Sequence, residues 1–275
     1  MPELPIRNQS IFYRIEGRGE PVVLLHGGGG SGRQWKALTS ELGTDFLCYA
    51  PDLFGHGASS SWTSMDGPLL ADYAAIVEAI ALLIGRPFHL VGHSHGGAVA
   101  ATYAIGNPNS LASLTLVEPT LMHLLRVSQS PAWPEAEELG TKHIDAVSRR
   151  ELSQIADEFL PYWIGREAWH SMPDDRRTAI INTMPAVAQF WASEFSETTP
   201  VKAYKQLTVP TLLVRGTTTR ETAREIISLL HDSLPNSRLV DIEGAGHMAP
   251  LTHASDVNKA ILQHLAQHRS SAAQQ

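Results

Sequence analysis

Short apolar runs alternate along this chain with stretches that have helical periodicity. The apolar runs predict strands at Ile11–Ile15, Val22–Leu25, Phe46–Ala50, Phe88–Val91, Leu114–Val117, Leu212–Val214 and Leu239–Ile242. Helices are expected near 33–42, 69–84, 95–106, 220–231 and 253–267. Such alternation is typical of a mostly parallel central sheet with helices on both faces, so the sequence predicts an α/β fold.

The region 120–205 interrupts this alternation because it contains no convincing strand pattern. Ser148 and Glu151 match a capping box, and the apolar positions between Leu152 and Leu160 recur on one face of a helix. We therefore expect two units: a core made of residues 1–119 and 206–275, and an inserted helical cap at 120–205. The small, polar residues 270–275 predict a frayed terminus.

Composition narrows the class of protein and its partners. The 275 residues are 43% hydrophobic and 18% charged, which suits a globular protein and excludes disordered, collagenous and disulfide-scaffold classes. A net charge of -7 without a basic patch argues against nucleic acid and anionic membrane surfaces as partners. The single cysteine, Cys48, lies in an apolar run and is predicted to be a core residue.

Targeting signals are also absent from the sequence pattern. The first ten residues lack the apolar stretch of a signal peptide, and no apolar run approaches the roughly 18 residues of a membrane span. The expected location is cytoplasmic. The pattern allows a monomer or a homo-oligomer.

The sharpest chemical signal is the segment Gly92-His93-Ser94-His95-Gly96, which lies between a predicted strand and a helix of small residues. A G-x-S-x-G at a strand-to-helix turn is typical of a nucleophile elbow, where glycines prevent clashes around a strained serine. Ser94 is therefore the predicted nucleophile. The alternative is a glycine-rich turn with an incidental serine.

A serine nucleophile needs a base, and the chain has 13 histidines. His247 is favoured because its loop, Gly244-Ala245-Gly246-His247-Met248-Ala249-Pro250, joins the last predicted strand to the last helix and follows Ser94 in the chain. His253, His264 and His268 fall on that last helix and are expected to be solvated.

With two further motifs, the chain resembles the α/β-hydrolase family along nearly its whole length. These motifs are His26-Gly27-Gly28 after one predicted strand and the segment 52–59, DLFGHGAS, after the next. The resemblance implies a serine hydrolase without a cofactor or metal. It also implies an oxyanion hole formed by the backbone N–H groups of Gly28 and His95, where charge would develop during acyl transfer.

The sequence departs from the family pattern at the acid of the catalytic triad. Thr219 occupies the usual aspartate position, and a threonine cannot hold an imidazolium through a charged hydrogen bond. Some family members place the acid after the preceding strand, which here is Glu118. Glu118 is the predicted acid, with Glu221, Asp241 and Glu243 as alternatives.

Three other interpretations compete with a hydrolase. The segment Gly27–Gly32 fits G-x-G-x-x-G and Asp52 follows at a strand end, as in a dinucleotide site, but this leaves the segments around Ser94 and His247 unexplained. The histidines 26, 56, 93 and 95 could suggest a metal, but they lack the context of a three-ligand motif. A ligand-binding protein that keeps the fold without catalysis is the third.

The predicted cap holds four of the six tryptophans: Trp133, Trp163, Trp169 and Trp191. Their rings could form the cap's own core or the roof of a pocket. A roof would suit a small, partly apolar substrate such as an ester, a lactone or a related carbonyl compound, cleaved through an acyl-enzyme. C–C bond hydrolases and cofactor-free oxidative enzymes of the same fold remain as alternatives.

Overall fold

The fold was obtained as a computed structural model, which describes residues 2–64 and 67–269. Eight strands form one sheet: β1 (Glu3–Ile6), β2 (Gln9–Gly17), β3 (Glu20–Leu25), β4 (Phe46–Pro51), β5 (Phe88–His93), β6 (Leu111–Val117), β7 (Thr211–Gly216) and β8 (Ser237–Ile242). Their order across the sheet is β1-β2-β4-β3-β5-β6-β7-β8. The pairs β1–β2 and β2–β4 are antiparallel, and the remaining pairs are parallel.

The helices of the described residues follow the strands in chain order. Their bounds are α1 (Lys36–Leu42), α2 (Leu70–Ile84), α3 (His95–Gly106), α4 (Met122–Val127), α5 (Trp133–Ser148), α6 (Leu152–Ile164), α7 (Arg166–His170), α8 (Asp174–Ile181), α9 (Met184–Ser196), α10 (Val201–Tyr204), α11 (Glu221–Ser233), α12 (Ala249–Thr252) and α13 (Ala254–Gln267). Short 3₁₀ turns occur at Gly32–Trp35 and Pro108–Ser110. The helices α4 to α10 all lie between β6 and β7, and we call residues 120–205 the β6–β7 segment.

The central strands are buried on both faces, as continuous apolar runs predict for parallel strands. In β3, Val23 and Leu25 join one hydrophobic cluster, together with residues of α2, α3 and α11. Val22 and Leu24 join the other cluster, with residues of α1 and α13. Because successive side chains of a strand point to opposite faces, one strand serves both layers.

This architecture confirms the predicted α/β fold class. Each predicted strand lies inside a strand of the sheet, and Cys48 is buried in the second cluster as expected. The sequence pattern missed β1, whose four residues include Pro5. The proline is tolerated because β1 lies at the edge of the sheet.

Two local predictions were wrong. Ser148 and Glu151 form no capping box, because Ser148 ends α5 and Glu151 precedes α6 without a side-chain cap. His264 is not solvated but only 3% exposed. It lies on the side of α13 that packs against the strands β6, β7 and β8. Burial lowers the pKa of His264 to about 4. The predicted frayed terminus at 270–275 lies outside the described residues.

Candidate active site

Ser94 lies at the sharp turn between β5 and α3. Its φ of 54° is in the left-handed region, which costs free energy for any residue with a side chain. The glycine loop, residues 27–32 after β3, packs directly on this turn. A Cβ atom placed on Gly27 would lie only 3.1 Å from the Ser94 Cβ. The sequence therefore holds the serine in a strained conformation at the carboxyl end of a central strand.

The His247 ring reaches Ser94 from the loop between β8 and α12. His247 Nε2 lies 2.9 Å from Ser94 Oγ, and both side chains are buried. The loop is itself fixed by His93, whose Nε2–H donates to the backbone carbonyl of His247 at 2.9 Å. Burial, together with the nearby His247, lowers the pKa of His93 to about 3, so His93 acts as a neutral hydrogen-bonding group.

Glu118 lies on the other side of His247, directly after β6. Its Oε2 is 3.4 Å from His247 Nδ1, and its side chain is fully buried. The backbone of Glu118 has a φ of 48°, a second strained conformation next to the same histidine. The carboxylate also accepts two short hydrogen bonds, from the Gly216 N–H at 2.7 Å and from the Thr219 hydroxyl at 2.6 Å.

Thr219, which stands where an acid was expected, is thus a hydrogen-bond partner of the Glu118 carboxyl. The other candidate acids are engaged elsewhere or exposed. Asp241 accepts from Arg215 at 2.7 Å, Glu221 pairs with Arg224 at 3.3 Å, and Glu243 is exposed. Of the predicted alternatives, the structure therefore brings only Glu118 to His247.

The two predicted oxyanion donors lie at the same place. Gly28 and His95 line one pocket with Ser94. Within the described residues, the amides beside Gly28 have partners in the chain: the Gly27 N–H donates to Gln34 Oε1 and the Gly29 N–H to His56 Nε2. The Gly28 amide has no such partner in that part of the chain, so it is free to bind another group.

The glycine loop and Asp52 do not form a dinucleotide site of the predicted kind. The Asp52 carboxylate is fully buried and accepts from the Gly32 N–H and from Arg14 Nη1, each at 2.7 Å. Asp52 therefore closes the loop from within and has no free edge for a ribose hydroxyl.

His26 and His56, which lie beside the glycine loop, accept hydrogen bonds from backbone N–H groups. His26 Nε2 accepts from the Leu53 N–H at 2.9 Å, and burial lowers the pKa of His56 to about 3. Among residues 2–64 and 67–269, no group of three or more His, Cys, Asp or Glu side chains could hold a metal ion.

Ser94 opens into a cavity of about 570 Å³, part of which is open to solvent. Its walls come largely from the β6–β7 segment: Phe159, Leu160, Trp163, Ile164, Val187, Phe190, Trp191 and Glu194. The ring of Trp163 lies 4.1 Å from that of His247, measured between centroids. Trp163 and Trp191 thus line the pocket, whereas Trp169 is fully buried and Trp133 packs against Phe195.

Two residues at the site escaped the sequence analysis: Thr120 and Glu194. Thr120 lies two residues after Glu118, and its N–H donates to the Ser94 carbonyl at 3.2 Å. Glu194 lies on α9 and is buried. In the sequence, a single acid among apolar residues of a helix would ordinarily be assigned to the solvent-facing side. The one sequence feature that could have indicated its burial is that its neighbours on this helix are apolar and aromatic.

The mostly parallel α/β sheet and this arrangement of serine, histidine and carboxylate are typical of one class of protein, the hydrolases built on such a sheet. Comparison with known proteins gives the family: the chain belongs to the alpha/beta hydrolase family, whose model matches residues 22–260. It is a hydrolytic enzyme by this membership.

Individual relatives agree with the family. The chain is similar to a pimeloyl-[acyl-carrier protein] methyl ester esterase of Chromobacterium violaceum, with 26% identity covering 93% of this chain and 98% of the relative. A thermophilic esterase from Thermogutta terrifontis is 25% identical, with a TM-score of 0.80 and coverage of 98% of this chain and 99% of the esterase.

A third likeness concerns the fold alone. The enol-lactonase from Burkholderia xenovorans is 18% identical, with a TM-score of 0.79 and coverage of 96% of this chain and 100% of the lactonase.

In the described residues, no helix has the length and apolar character needed to cross a membrane.

Proposed function

We propose that this protein is a serine hydrolase that cleaves small, partly apolar esters, lactones or related carbonyl compounds through an acyl-enzyme. The observation that carries the proposal is the 2.9 Å contact between Ser94 Oγ and His247 Nε2 at a strained turn. A serine hydroxyl within hydrogen-bonding distance of an imidazole nitrogen is the arrangement that nucleophilic catalysis requires. The esterase relatives support an ester as the substrate.

In the proposed reaction, Ser94 attacks the carbonyl carbon while His247 Nε2 takes the hydroxyl proton. The Glu118 carboxylate holds the Nδ1–H of His247 and stabilises the charged ring. The amides of Gly28 and His95 donate to the oxyanion. His247 then gives its proton to the leaving group and activates a water molecule, which attacks the acyl-enzyme and releases the acid.

We further propose that residues 120–205 act as a cap over a catalytic core made of 1–119 and 206–275. The support is the pocket wall, to which α6 and α9 of the β6–β7 segment contribute most of the apolar side chains. Aromatic and aliphatic walls favour a substrate whose acyl portion is not strongly polar.

The test compares the parent enzyme with Ser94→Ala on short p-nitrophenyl esters. We expect kcat to fall by about 10⁴-fold or more in the variant, because it lacks the oxygen that would form the acyl-enzyme. Labelling with a fluorophosphonate probe, followed by peptide mapping, should place the adduct on Ser94. Absence of hydrolysis by the parent, or hydrolysis that survives Ser94→Ala, would overturn the proposal.

A further inference from the structure

The pocket beside Ser94 contains a polar corner formed by Glu194, His95 and Thr120, which we call the Glu194 group. Glu194 Oε1 accepts the Thr120 hydroxyl at 2.7 Å and lies 2.7 Å from His95 Nδ1. The three residues are 3%, 2% and 6% exposed, and all of them line the pocket. Burying a carboxyl is costly unless hydrogen bonds offset its desolvation, and Glu194 has two from side chains.

Both partners of Glu194 are attached to the nucleophile turn. His95 follows Ser94 in the chain, and the Thr120 N–H donates to the Ser94 carbonyl at 3.2 Å. The Phe190 ring stacks on the His95 ring with centroids 3.7 Å apart, and this stacking restricts the orientation of the imidazole. Glu194 therefore has a defined position close to the reacting serine, although α9 supplies it.

The rest of the pocket limits the charge that a substrate can carry. Its described lining contains no lysine or arginine, so an anionic group on the substrate would be buried without a counter-ion. Burial raises the pKa of Glu194 well above its ordinary value, against smaller effects of its hydrogen bonds from Thr120 and Met122. Burial also lowers the pKa of His95 well below its ordinary value.

Burial and the lack of lysine or arginine in the described lining both favour a neutral pair, and a neutral pair constrains its own hydrogen bonds. The two side-chain contacts of Glu194 go to Oε1, which accepts from the Thr120 hydroxyl and forms a hydrogen bond with His95 Nδ1 that uses one of the two protons of the pair. The other proton of the neutral pair is then on Glu194 Oε2 or on His95 Nε2, and His95 Nε2 has no hydrogen-bond partner in the described part of the chain. A neutral carboxylic acid in an apolar pocket is a strong hydrogen-bond donor to an uncharged oxygen.

We propose that the Glu194 group is a recognition subsite for an uncharged hydrogen-bond acceptor, an ether or carbonyl oxygen, on the acyl chain of the substrate. The acyl chain is chosen because the leaving group must face His247 Nε2, whereas the Glu194 group is built on the residue that follows Ser94. This inference rests on the proposed serine hydrolase function and adds the chemical class of its substrate.

The test uses isosteric p-nitrophenyl esters: the pentanoate, and analogues in which one methylene of the chain is replaced by an ether oxygen, such as 3-methoxypropanoate. Each kcat/KM is divided by the rate of uncatalysed hydroxide hydrolysis. We expect at least one ether analogue to exceed the pentanoate by about tenfold in the parent enzyme, the value of one neutral hydrogen bond.

Two variants separate recognition from a structural role. Glu194→Gln keeps one acceptor and one donor in the same places, so it should keep the ether preference, whereas Glu194→Leu should abolish it. The exposed carboxylate Glu137 provides the matched control, because Glu137→Leu should leave the preference intact. A purely structural role would lower both rates in Glu194→Leu and leave their ratio unchanged.

Three results would overturn the subsite: equal rates for the pentanoate and every ether analogue in the parent, a preference that persists in Glu194→Leu, or faster turnover of an anionic ester such as 4-nitrophenyl hydrogen glutarate. The first comparison needs no variant and is therefore independent of folding. If hydrolysis of all the esters depends on Ser94 but shows no ether preference, the subsite fails and the proposed hydrolase stands. If hydrolysis does not depend on Ser94, the hydrolase proposal itself fails.

Discussion

Two buried carboxylates flank Ser94, and each is held by a histidine and a threonine. Glu118 contacts His247 Nδ1 at 3.4 Å and the Thr219 hydroxyl at 2.6 Å. Glu194 contacts His95 Nδ1 at 2.7 Å and the Thr120 hydroxyl at 2.7 Å. The residue types are the same, so the residue types alone do not distinguish a triad from a structural or binding cluster.

What differs is the second nitrogen of each histidine. His247 Nε2 meets the hydroxyl of Ser94 at 2.9 Å, whereas His95 Nε2 has no hydrogen-bond partner in the described part of the chain. Each carboxyl also has a backbone partner: Glu118 accepts the Gly216 N–H, and Glu194 has a backbone hydrogen bond from Met122. The comparison teaches that the same three side chains can form two different arrangements, which are distinguished by what the second ring nitrogen of the histidine contacts.

Substitution of the two histidines should separate the arrangements most strongly. We expect His247→Ala to lower kcat on p-nitrophenyl butanoate by about 10⁴-fold or more, because the base and the proton donor are both lost. His95→Ala should cost under about tenfold, since its proposed catalytic contribution comes from the backbone N–H. Steady-state kinetics at one pH is sufficient, and equal losses in both variants would contradict the distinction.

The carboxylates should follow with a smaller difference. Glu118→Gln should lower kcat by about 10³-fold, since an amide no longer stabilises the charged ring or fixes its tautomer. Glu194→Gln should lower kcat on the same apolar ester by under about tenfold. If Glu118→Gln stays within a few-fold of the parent, Glu118 is not the acid, and circular dichroism of the variant must show an intact fold for that conclusion.

The smallest effect concerns the pH dependence of stability. Because burial raises the pKa of Glu194 in the folded state, the folded protein binds more protons at this group than the unfolded chain does. The group therefore reduces stability increasingly as the pH rises above the unfolded carboxyl pKa of about 4.3. Glu194→Gln removes this dependence, so its Tm relative to the parent should increase from pH 5 to pH 8.

Differential scanning fluorimetry across that pH range measures the difference directly. Glu137→Gln, a change at an exposed carboxylate, serves as the control and should track the parent at every pH. A constant Tm difference between Glu194→Gln and the parent would show that folding does not raise the pKa of Glu194.

Much of the fold and the triad geometry followed from local sequence features. Apolar runs located the central strands because strands buried on both faces need them, and the glycines around Ser94 marked the turn. The threonine at 219 directed the search for an acid to Glu118, and the structure brings that carboxyl to His247. Its catalytic role remains a prediction.

Other features depend on tertiary contacts that a single sequence does not encode locally. The burial of His264 comes from the side of α13 that packs on the sheet, whereas the sequence analysis expected this residue in solvent. The position of Glu194 depends on how α9 lies over the nucleophile turn, across 99 residues from His95. The short strand β1 was missed because its pairing with β2, rather than its composition, makes it a strand.

The contact between Glu118 and the end of β7 has a consequence for evolvability. The β6–β7 segment leaves the sheet at β6 and returns at the neighbouring β7, where Val117 pairs with Val214. The Glu118 carboxyl ties the two ends together through Gly216 and Thr219. Since loop-closure entropy grows only slowly with length, a change in the length of this segment alters the entropic cost of closing it by little. New pockets can thus be tried over a serine and a histidine that the sheet keeps in place.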